Sequence, residues 1–143
     1  MAATREQVMT ALLAALGGQF TTVGRRNRNP ETVASPGKPA LILDDHRDLY
    51  ERQAPSLPPR RIMDVMAIVY FDIGQDETAV PSTVLNNLLD GIDTAMAPDS
   101  LVTGRFTLGG LVYSCLIDGE IIKAPGDVTG KGLATVSIKI ILP

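Results

Sequence analysis

Residues 62–73 carry the feature that most restricts how this chain can fold. Their sequence, IMDVMAIVYFDI, places an apolar residue at every second position, while Asp64 and Asp72 fall on the opposite side. Successive side chains of a β-strand point to opposite faces, so this alternation predicts a strand with one buried face. Residues 133–140 repeat the pattern. We therefore expect a sheet that other elements cover on one side.

Two helices are predicted that can cover this sheet. The first begins at a capping-box pattern formed by Thr4 and Gln7, continues as an apolar stripe, and is expected to end in a left-handed residue at Gly17-Gly18. The second lies between Pro81 and Pro98. It contains a glycine at position 91, which costs about 1 kcal/mol relative to alanine in a helix. That glycine predicts tight packing of the second helix against the sheet.

The remaining segments complete the predicted fold. Short strands are expected at residues 19–26 and 39–43, and long loops at residues 25–38 and 44–61. The order is then helix, three strands, helix, two strands. Such an order predicts an α+β fold, with one twisted, mostly antiparallel sheet and both helices on one face. Residues 1–143 are expected to form a single domain.

Residues 106–121, with the sequence FTLGGLVYSCLIDGEI, are predicted to form another strand, but a strand of unusual composition. Both of its faces are apolar, and two helices can cover only one face of a sheet. Gly109 and Gly110 further suggest that another element approaches the backbone closely. We expect the amino-terminal helix or a neighbouring subunit to pack here, with Leu111 and Tyr113 as further packing residues.

No residue pattern predicts catalysis, a metal site or a cofactor. His46 is the only histidine, and it lies in a charged segment with Asp44, Asp45 and Asp48 that matches no metal-ligand spacing. Cys115 is the only cysteine and is expected to be a buried apolar residue rather than a reactive thiol. Phosphate-binding glycine loops are absent from the sequence. A structural protein is therefore favoured over an enzyme.

The charged residues leave two interpretations open. The net charge is −3 and the isoelectric point about 5.0, which argues against a nucleic-acid-binding protein. A basic cluster nevertheless occurs at Arg25, Arg26 and Arg28, and it can be extended by Arg60 and Arg61. This cluster is either a solvated loop or a polar interface that contacts acidic protein or phosphate.

The amino-terminal segment does not have the pattern of a targeting or membrane sequence. Its apolar stretch is too short to span a bilayer, and Glu6 and Gln7 occupy positions where a signal peptide has basic residues. We expect a reducing intracellular setting and no membrane partner.

The carboxy-terminal third, TLGGLVYSCLIDGEIIKAPGDVTGKGLATVSIKIILP, resembles tail-terminator (tail-completion) proteins of long-tailed double-stranded DNA phages. The similarity extends more loosely through NNLLDGIDTAM and the central strand. It implies a homo-oligomeric ring, typically a hexamer, on the head-proximal end of the tail tube in the virion, assembled in the host cytoplasm. The implied partners are other copies of this chain, the tail tube protein and the head connector, with weak contact to the passing genomic DNA. The resemblance brings no catalytic residue.

Three alternatives stay open at this point. A neck or head-completion protein on the portal side would have the same physical character. A small intracellular enzyme or ligand-binding domain would require a pocket with perturbed titrating groups. A sequence-independent nucleic-acid binder would require interleaved basic and aromatic residues, which the sequence lacks.

Overall fold

The computed structural model describes residues 3–26, 34, 38–52, 54–74, 78–124 and 131–142. Helix α1 begins close to the amino terminus, and helix α2 lies between the third and fourth strands. The bounds of the elements are α1 Arg5–Leu16, β1 Thr22–Gly24, β2 Ala40–Glu51, β3 Arg60–Asp72, α2 Pro81–Ala95, β4 Ser114–Ala124 and β5 Lys131–Ile141, with a 3₁₀ turn at Gly17–Gln19.

The strands form one five-stranded sheet in the order β1-β2-β3-β5-β4. Only the β1–β2 pair is parallel, and the other three pairs are antiparallel. The predicted α+β class with one mostly antiparallel sheet is therefore confirmed. β4 is an edge strand along its whole length, whereas β1 is short and pairs only with Ala40–Ile42 of β2.

One face of the sheet, here called the core face, packs against both helices. The alternating apolar residues of β3 and β5 are buried on it, as the sequence predicted. The apolar stripes of the two helices pack against the same cluster, although Val84 of α2 is exposed. Burying such aliphatic side chains, each worth roughly 1.5–3 kcal/mol, is what holds helices and sheet together. The core-face residues of the strands are Leu41, Leu43, Met63, Val65, Ala67, Val69, Phe71, Cys115, Ala134, Val136, Ile138 and Ile140.

The first helix begins as predicted and ends differently. The Gln7 N–H donates to Thr4 Oγ1 at 3.1 Å, and the Thr4 N–H donates to Gln7 Oε1 at 2.9 Å, which completes the capping box. The expected left-handed end at Gly17 is wrong, because Gly17 has a right-handed backbone with φ of −77°. The chain instead tightens into the 3₁₀ turn, which satisfies the last carbonyls of the helix in another way.

Gly91 is tightly packed, but its neighbour is not the sheet. A Cβ atom placed on Gly91 would lie 2.1 Å from the Oε1 of Gln19, in the 3₁₀ turn. The Gln19 amide also donates from Nε2 to the carbonyl oxygen of Leu88 at 2.7 Å. The missing side chain thus lets a polar residue lie across α2 and hydrogen-bond to a helix carbonyl.

Strand β2 is much longer than the predicted segment 39–43. Residues 44–51, which were expected to begin a long loop, continue the strand and pair with β3 through a register shift between Asp45 and Arg47. All eight are exposed in the structure. Their sequence has no alternation of apolar and polar residues, so a strand could not be predicted from it. Backbone pairing with the strongly patterned β3 holds them in the strand.

The predicted strand at residues 106–121 is half wrong. Residues 106–113 form an irregular, turn-rich segment, and regular pairing with β5 starts at Ser114. Phe106, Leu108 and Leu111 leave the sheet and pack against the helix-covered core. Part of the apolar surplus of this stretch is therefore buried by its own chain, although the residue pattern predicted two apolar faces of one strand.

The second face of the sheet, here called the open face, is partly covered as well. Ala40, Ile42, Ile68 and Tyr70 are buried there together with Ala34. The chain thus covers one end of its second face by itself. The other end of the open face, where β3 begins, contains the pocket described below.

Candidate interaction surface

The segment that joins α2 to β4 is an ordered loop organised by one carboxylate. Asp99 Oδ1 accepts hydrogen bonds from the backbone N–H and the hydroxyl of Thr107, both at 2.8 Å, and Oδ2 accepts from the Gly109 N–H at 2.9 Å. The bond from Gly109, followed by those from Thr107, holds the pKa of Asp99 below its ordinary value. We call residues 98–113 the Asp99 loop.

The two glycines of the loop are required by backbone conformation. Gly109 has φ of +71° and Gly110 has φ of +91°, and Leu108 before them also has a positive φ, of 52°. A Cβ on either glycine would meet no heavy atom within 4 Å. The expected close approach of the amino-terminal helix is therefore wrong, because these glycines permit a turn that other residues adopt only with strain. Packing of a neighbouring subunit at this point stays a prediction.

The tip of the loop presents two apolar side chains to solvent. Leu101 is 101% exposed and Val102 is 96% exposed. The tip is nevertheless hydrogen-bonded: the Gly104 N–H donates to the Ser100 carbonyl at 2.9 Å, and the Asp99 and Ser100 N–H groups both donate to the Arg105 carbonyl at 3.2 Å. Two exposed aliphatic residues on a well-bonded loop form an apolar projection, which we call the knob.

A cationic group lies beside the knob. The Arg105 guanidinium stacks over the Tyr113 ring at 4.0 Å, and Arg60 approaches the same ring at 6.0 Å. Among the residues that the structure describes, neither arginine forms an ion pair with a carboxylate. Tyrosine and arginine are the residue types enriched in the energetic centres of protein interfaces. Leu111 and Tyr113 were both predicted as packing residues. Tyr113 is half-exposed, whereas Leu111 is half-buried against the core of its own subunit.

Of the amino-terminal arginines, Arg25 is held by carboxylates of its own subunit. Arg25 donates to both oxygens of Glu6, at 2.7 and 3.1 Å, and lies 3.6 Å from Asp45, so it ties α1 to β2. These bonds raise the pKa of Arg25 and lower that of Glu6. Arg26 is exposed, and Arg28 lies outside the described residues. Arg25 is therefore engaged within its own subunit, and an interface role for the other arginines of the cluster stays a prediction.

Of the two other predicted arginines, Arg60 is the one that approaches the Tyr113 ring. Arg61 lies on the opposite face of β3 and donates from Nη2 to the Ala3 carbonyl at 3.5 Å. The alternation of side chains along a strand separates these adjacent residues.

The open face contains a shallow pocket of about 300 Å³. The apolar residues of the open face that line it are Leu49, Ile62 and Met66, which come from β2 and β3. Polar side chains surround them, including an ion pair between Arg47 and Asp64. The remaining lining residues are His46, Val65, Asp118, Ser137, Ile138 and Lys139.

Metal-ligating and nucleophilic side chains are the groups that a reaction centre would use. In the described residues, no group of three or more His, Cys, Asp or Glu residues is placed to hold a metal ion. Burial raises the pKa of the Cys115 thiol to about 12, with a smaller contribution from Asp99, so the reactive thiolate is disfavoured. The predicted burial of Cys115 is confirmed.

The knob and the pocket were not identified from the sequence. Leu101 and Val102 stand between Pro98-Asp99-Ser100 and Gly104, and apolar residues inside such a turn-forming stretch are a signal that could have indicated an exposed contact. The pocket has no such signal, because its lining comes from four strands that only the sheet brings together.

Comparison with known proteins does not add a family to this geometry. No protein-family model matches the chain, and no curated protein matches it. Within the described residues, neither helix has the length and apolar character that a bilayer crossing requires.

Proposed function

We propose that this chain is a structural phage protein, a tail terminator that forms a homo-oligomeric ring, most simply a hexamer, on the head-proximal end of the tail tube. The ring ends tube polymerisation and offers its other side to the head connector. The protein acts by binding alone, and no covalent bond is made or broken. It is assembled in the host cytoplasm and becomes part of the virion.

The observation that carries the proposal is the knob, an ordered projection with two fully exposed aliphatic side chains. The core is complete without it, since the helices and the core face bury their own apolar residues. Exposing Leu101 and Val102 gives the isolated subunit no stability. Such residues are typical of a surface that is buried in an assembly. The resemblance of residues 107–143 to tail terminators indicates which assembly.

The arginines suggest how a ring of this kind would treat DNA. Arg60 and Arg105 carry charge that no described carboxylate neutralises. Any arginine that faces the lumen would contact DNA phosphates. Such a contact has no sequence preference, and it weakens as the salt concentration increases. Weak contact is what a passage for DNA requires.

The test uses particles assembled without the protein. A terminator predicts tails of excessive and variable length, because nothing stops addition of tube subunits. Tailless heads beside finished tails of normal length would instead assign the protein to the neck or head-completion position. In a second measurement, the mass of the purified protein is determined with and without tail tubes. A monomer that does not bind tubes would contradict the proposal.

A further inference from the structure

We propose that the knob and the two arginines beside Tyr113 form one docking surface for the end of the tail tube, and that the tube protein presents to it a carboxylate next to an apolar recess. This inference rests on the proposed function, which supplies the tube as the partner. It adds the residues that bind the tube and the chemistry that the tube end must offer. We call the Tyr113 ring and the guanidinium groups of Arg60 and Arg105 the arginine site.

The arginine site brings two positive charges together. The guanidinium carbon of Arg105 lies 4.0 Å and that of Arg60 6.0 Å from the same ring centroid, so the two carbons are at most about 10 Å apart. This separation is comparable with the Debye length of roughly 8–10 Å, so the charges repel each other in the isolated subunit. Glu51 lies opposite Arg60 in the β2–β3 register, but no described carboxylate forms an ion pair with either arginine. Binding of an anion relieves this repulsion.

The Arg105 side chain is held in place with its outer edge free. Its Nε donates to the Tyr113 carbonyl at 3.2 Å, and its Nη1 donates to the Tyr113 hydroxyl at 3.3 Å. The N–H groups that remain, on Nη1 and Nη2, have no acceptor in the described part of the chain. Two parallel N–H groups match the two oxygen atoms of a carboxylate. Because the guanidinium is already fixed, a carboxylate binds there with little loss of side-chain entropy.

The knob is fixed next to the arginine site. The Arg105 carbonyl accepts from the N–H groups of Asp99 and Ser100, both at 3.2 Å, and the Gly104 N–H donates to the Ser100 carbonyl at 2.9 Å. These bonds join the base of the knob to the residue whose side chain binds the anion. A partner that covers the knob therefore lies against Arg105 as well, and the loop does not have to rearrange for docking.

The composition of this surface favours a protein as its occupant. Tyrosine and arginine are enriched in protein interfaces, whose centre is apolar, whereas interfaces with DNA are much more positively charged. DNA phosphates would satisfy the two guanidinium groups, but a sugar-phosphate backbone has no apolar recess that can bury Leu101 and Val102. The occupant is therefore a protein that carries a carboxylate beside an apolar recess.

A second copy of this chain is a poorer match. The lining of the open-face pocket includes two cations, Arg47 and Lys139, and an equal number of carboxylates. A further cavity of about 310 Å³, between the end of α2 and β4, is lined by Arg105 together with Asp93. Neither has an excess of negative charge that attracts the arginine site. We assign the surface to the tube protein, because ending polymerisation requires the ring to cover the tube end.

The first experiment changes the arginine site. Arg60→Gln, Arg105→Gln and Arg105→Lys proteins are mixed with tail tubes assembled without this protein, and Kd is measured by co-sedimentation. Each glutamine variant should bind about 10-fold or more weakly, because a hydrogen bond to a charged group is lost. Arg105→Lys should also bind more weakly, because lysine keeps the charge but lacks the two parallel donors. Lys38→Gln is the matched control, since Lys38 is exposed at the opposite end of the sheet, and it should bind like the wild type.

The second experiment removes the apolar surface of the knob. The double variant Leu101→Ser/Val102→Ser should keep the thermal unfolding midpoint, because both side chains are exposed, and should keep the mass of the ring in light scattering. Its binding to tail tubes should be weaker by about 100-fold or more, because two aliphatic side chains are no longer buried. Val80→Ser is the matched control, since Val80 is 56% exposed and lies outside the docking surface. It should bind tubes like the wild type.

The outcomes separate this inference from the proposed function. A wild-type protein that does not bind tail tubes contradicts the terminator itself. If the wild type binds tubes and either the arginine variants or the knob variant bind them equally well, the inference is overturned and the terminator proposal stands.

Three further results identify another occupant, and each of them overturns the inference. A knob variant that dissociates into monomers assigns the knob to a second copy of this chain. Arginine variants that bind tubes normally but lose binding to a short DNA duplex assign the arginines to phosphate. Variants that bind tubes normally but no longer join purified heads assign the surface to the connector.

Discussion

Substitutions at Gly110 separate the two reasons for which a glycine can be needed. The backbone there has φ of +91°, and a Cβ would meet no heavy atom within 4 Å. Strain from the left-handed backbone costs a non-glycine residue roughly 1–2 kcal/mol. The entropy lost by the unfolded chain offsets about 0.4–1 kcal/mol of this. We therefore expect Gly110→Ala to lower the free energy of unfolding by about 1 kcal/mol, which is about 3 °C in the midpoint for a chain of this size.

The decisive comparison is between alanine and asparagine. Asparagine is larger but adopts positive φ more readily, so Gly110→Asn should be milder than Gly110→Ala, and Gly110→Val should be the worst of the three. Gly18→Ala is the control, because that position also has open space but no positive φ. It should be neutral or slightly stabilising. The free energy of unfolding is measured in urea, and the variants are compared directly when their m values are the same.

Two results would refute this account of the turn. If Gly110→Asn destabilises the subunit more than Gly110→Ala, space rather than backbone conformation limits the site. If Gly110→Ala equals Gly18→Ala, the positive φ carries no measurable strain. A Gly110→Asn subunit of normal stability that fails to form rings would show that a neighbouring copy packs on this glycine.

Other predictions concern the helix contact, the Asp99 loop and the buried thiol. Gly91→Ala alone should leave the free energy of unfolding nearly unchanged. Alanine gains about 1 kcal/mol in helix propensity, but its side chain displaces Gln19 and removes the Gln19–Leu88 hydrogen bond, which is worth roughly 0.5–1.5 kcal/mol. In a Gln19→Ala background, Gly91→Ala should raise the free energy of unfolding by about 1 kcal/mol. If urea unfolding shows that the effects of the two substitutions simply add, the contact between Gln19 and α2 at Gly91 is contradicted. The lowered pKa of Asp99 means that its stabilisation of the loop is complete above its ordinary value of 3.8 and is lost as pH falls through the folded pKa. Amide exchange of the Asp99 loop should therefore rise, relative to the core strands, only in that acidic range, and unchanged relative protection there would refute the role of the carboxylate. Cys115 should react with a thiol reagent at pH 8 only after unfolding, and rapid labelling of the folded protein would contradict its burial.

The fold could be predicted well where side chains alternate between the core and the opposite face. The apolar positions of residues 62–73 require a covered face, and the structure places them against both helices. The capping box at Thr4 could be predicted because it depends on two side chains three residues apart. These signals come from residues that are close together in the sequence, so they can be recognised without knowing the rest of the fold.

The surface could not be predicted to the same extent. Residues 44–51 have no apolar pattern of their own and become a strand because β3 offers a hydrogen-bonding edge. The turn at Gly109 and Gly110 was taken for part of a strand because apolar composition does not reveal the sign of φ. The Asp99 carboxylate that fixes the turn is ten residues from Gly109, which is beyond any local motif.

By itself, the sequence determined the α+β class, the amino-terminal cap of the first helix, the buried faces of helices and strands, and the absence of recognisable catalytic motifs, since these depend on residue type and short-range spacing. Only the tertiary structure decided where the apolar surplus of residues 106–121 goes, with Phe106, Leu108 and Leu111 packing inward. It also decided that Leu101 and Val102, just before this stretch, project outward. The physical reason is that exposure is a property of neighbours in space. A leucine has the same preference for burial at every position, and the fold determines which leucines its own chain can cover.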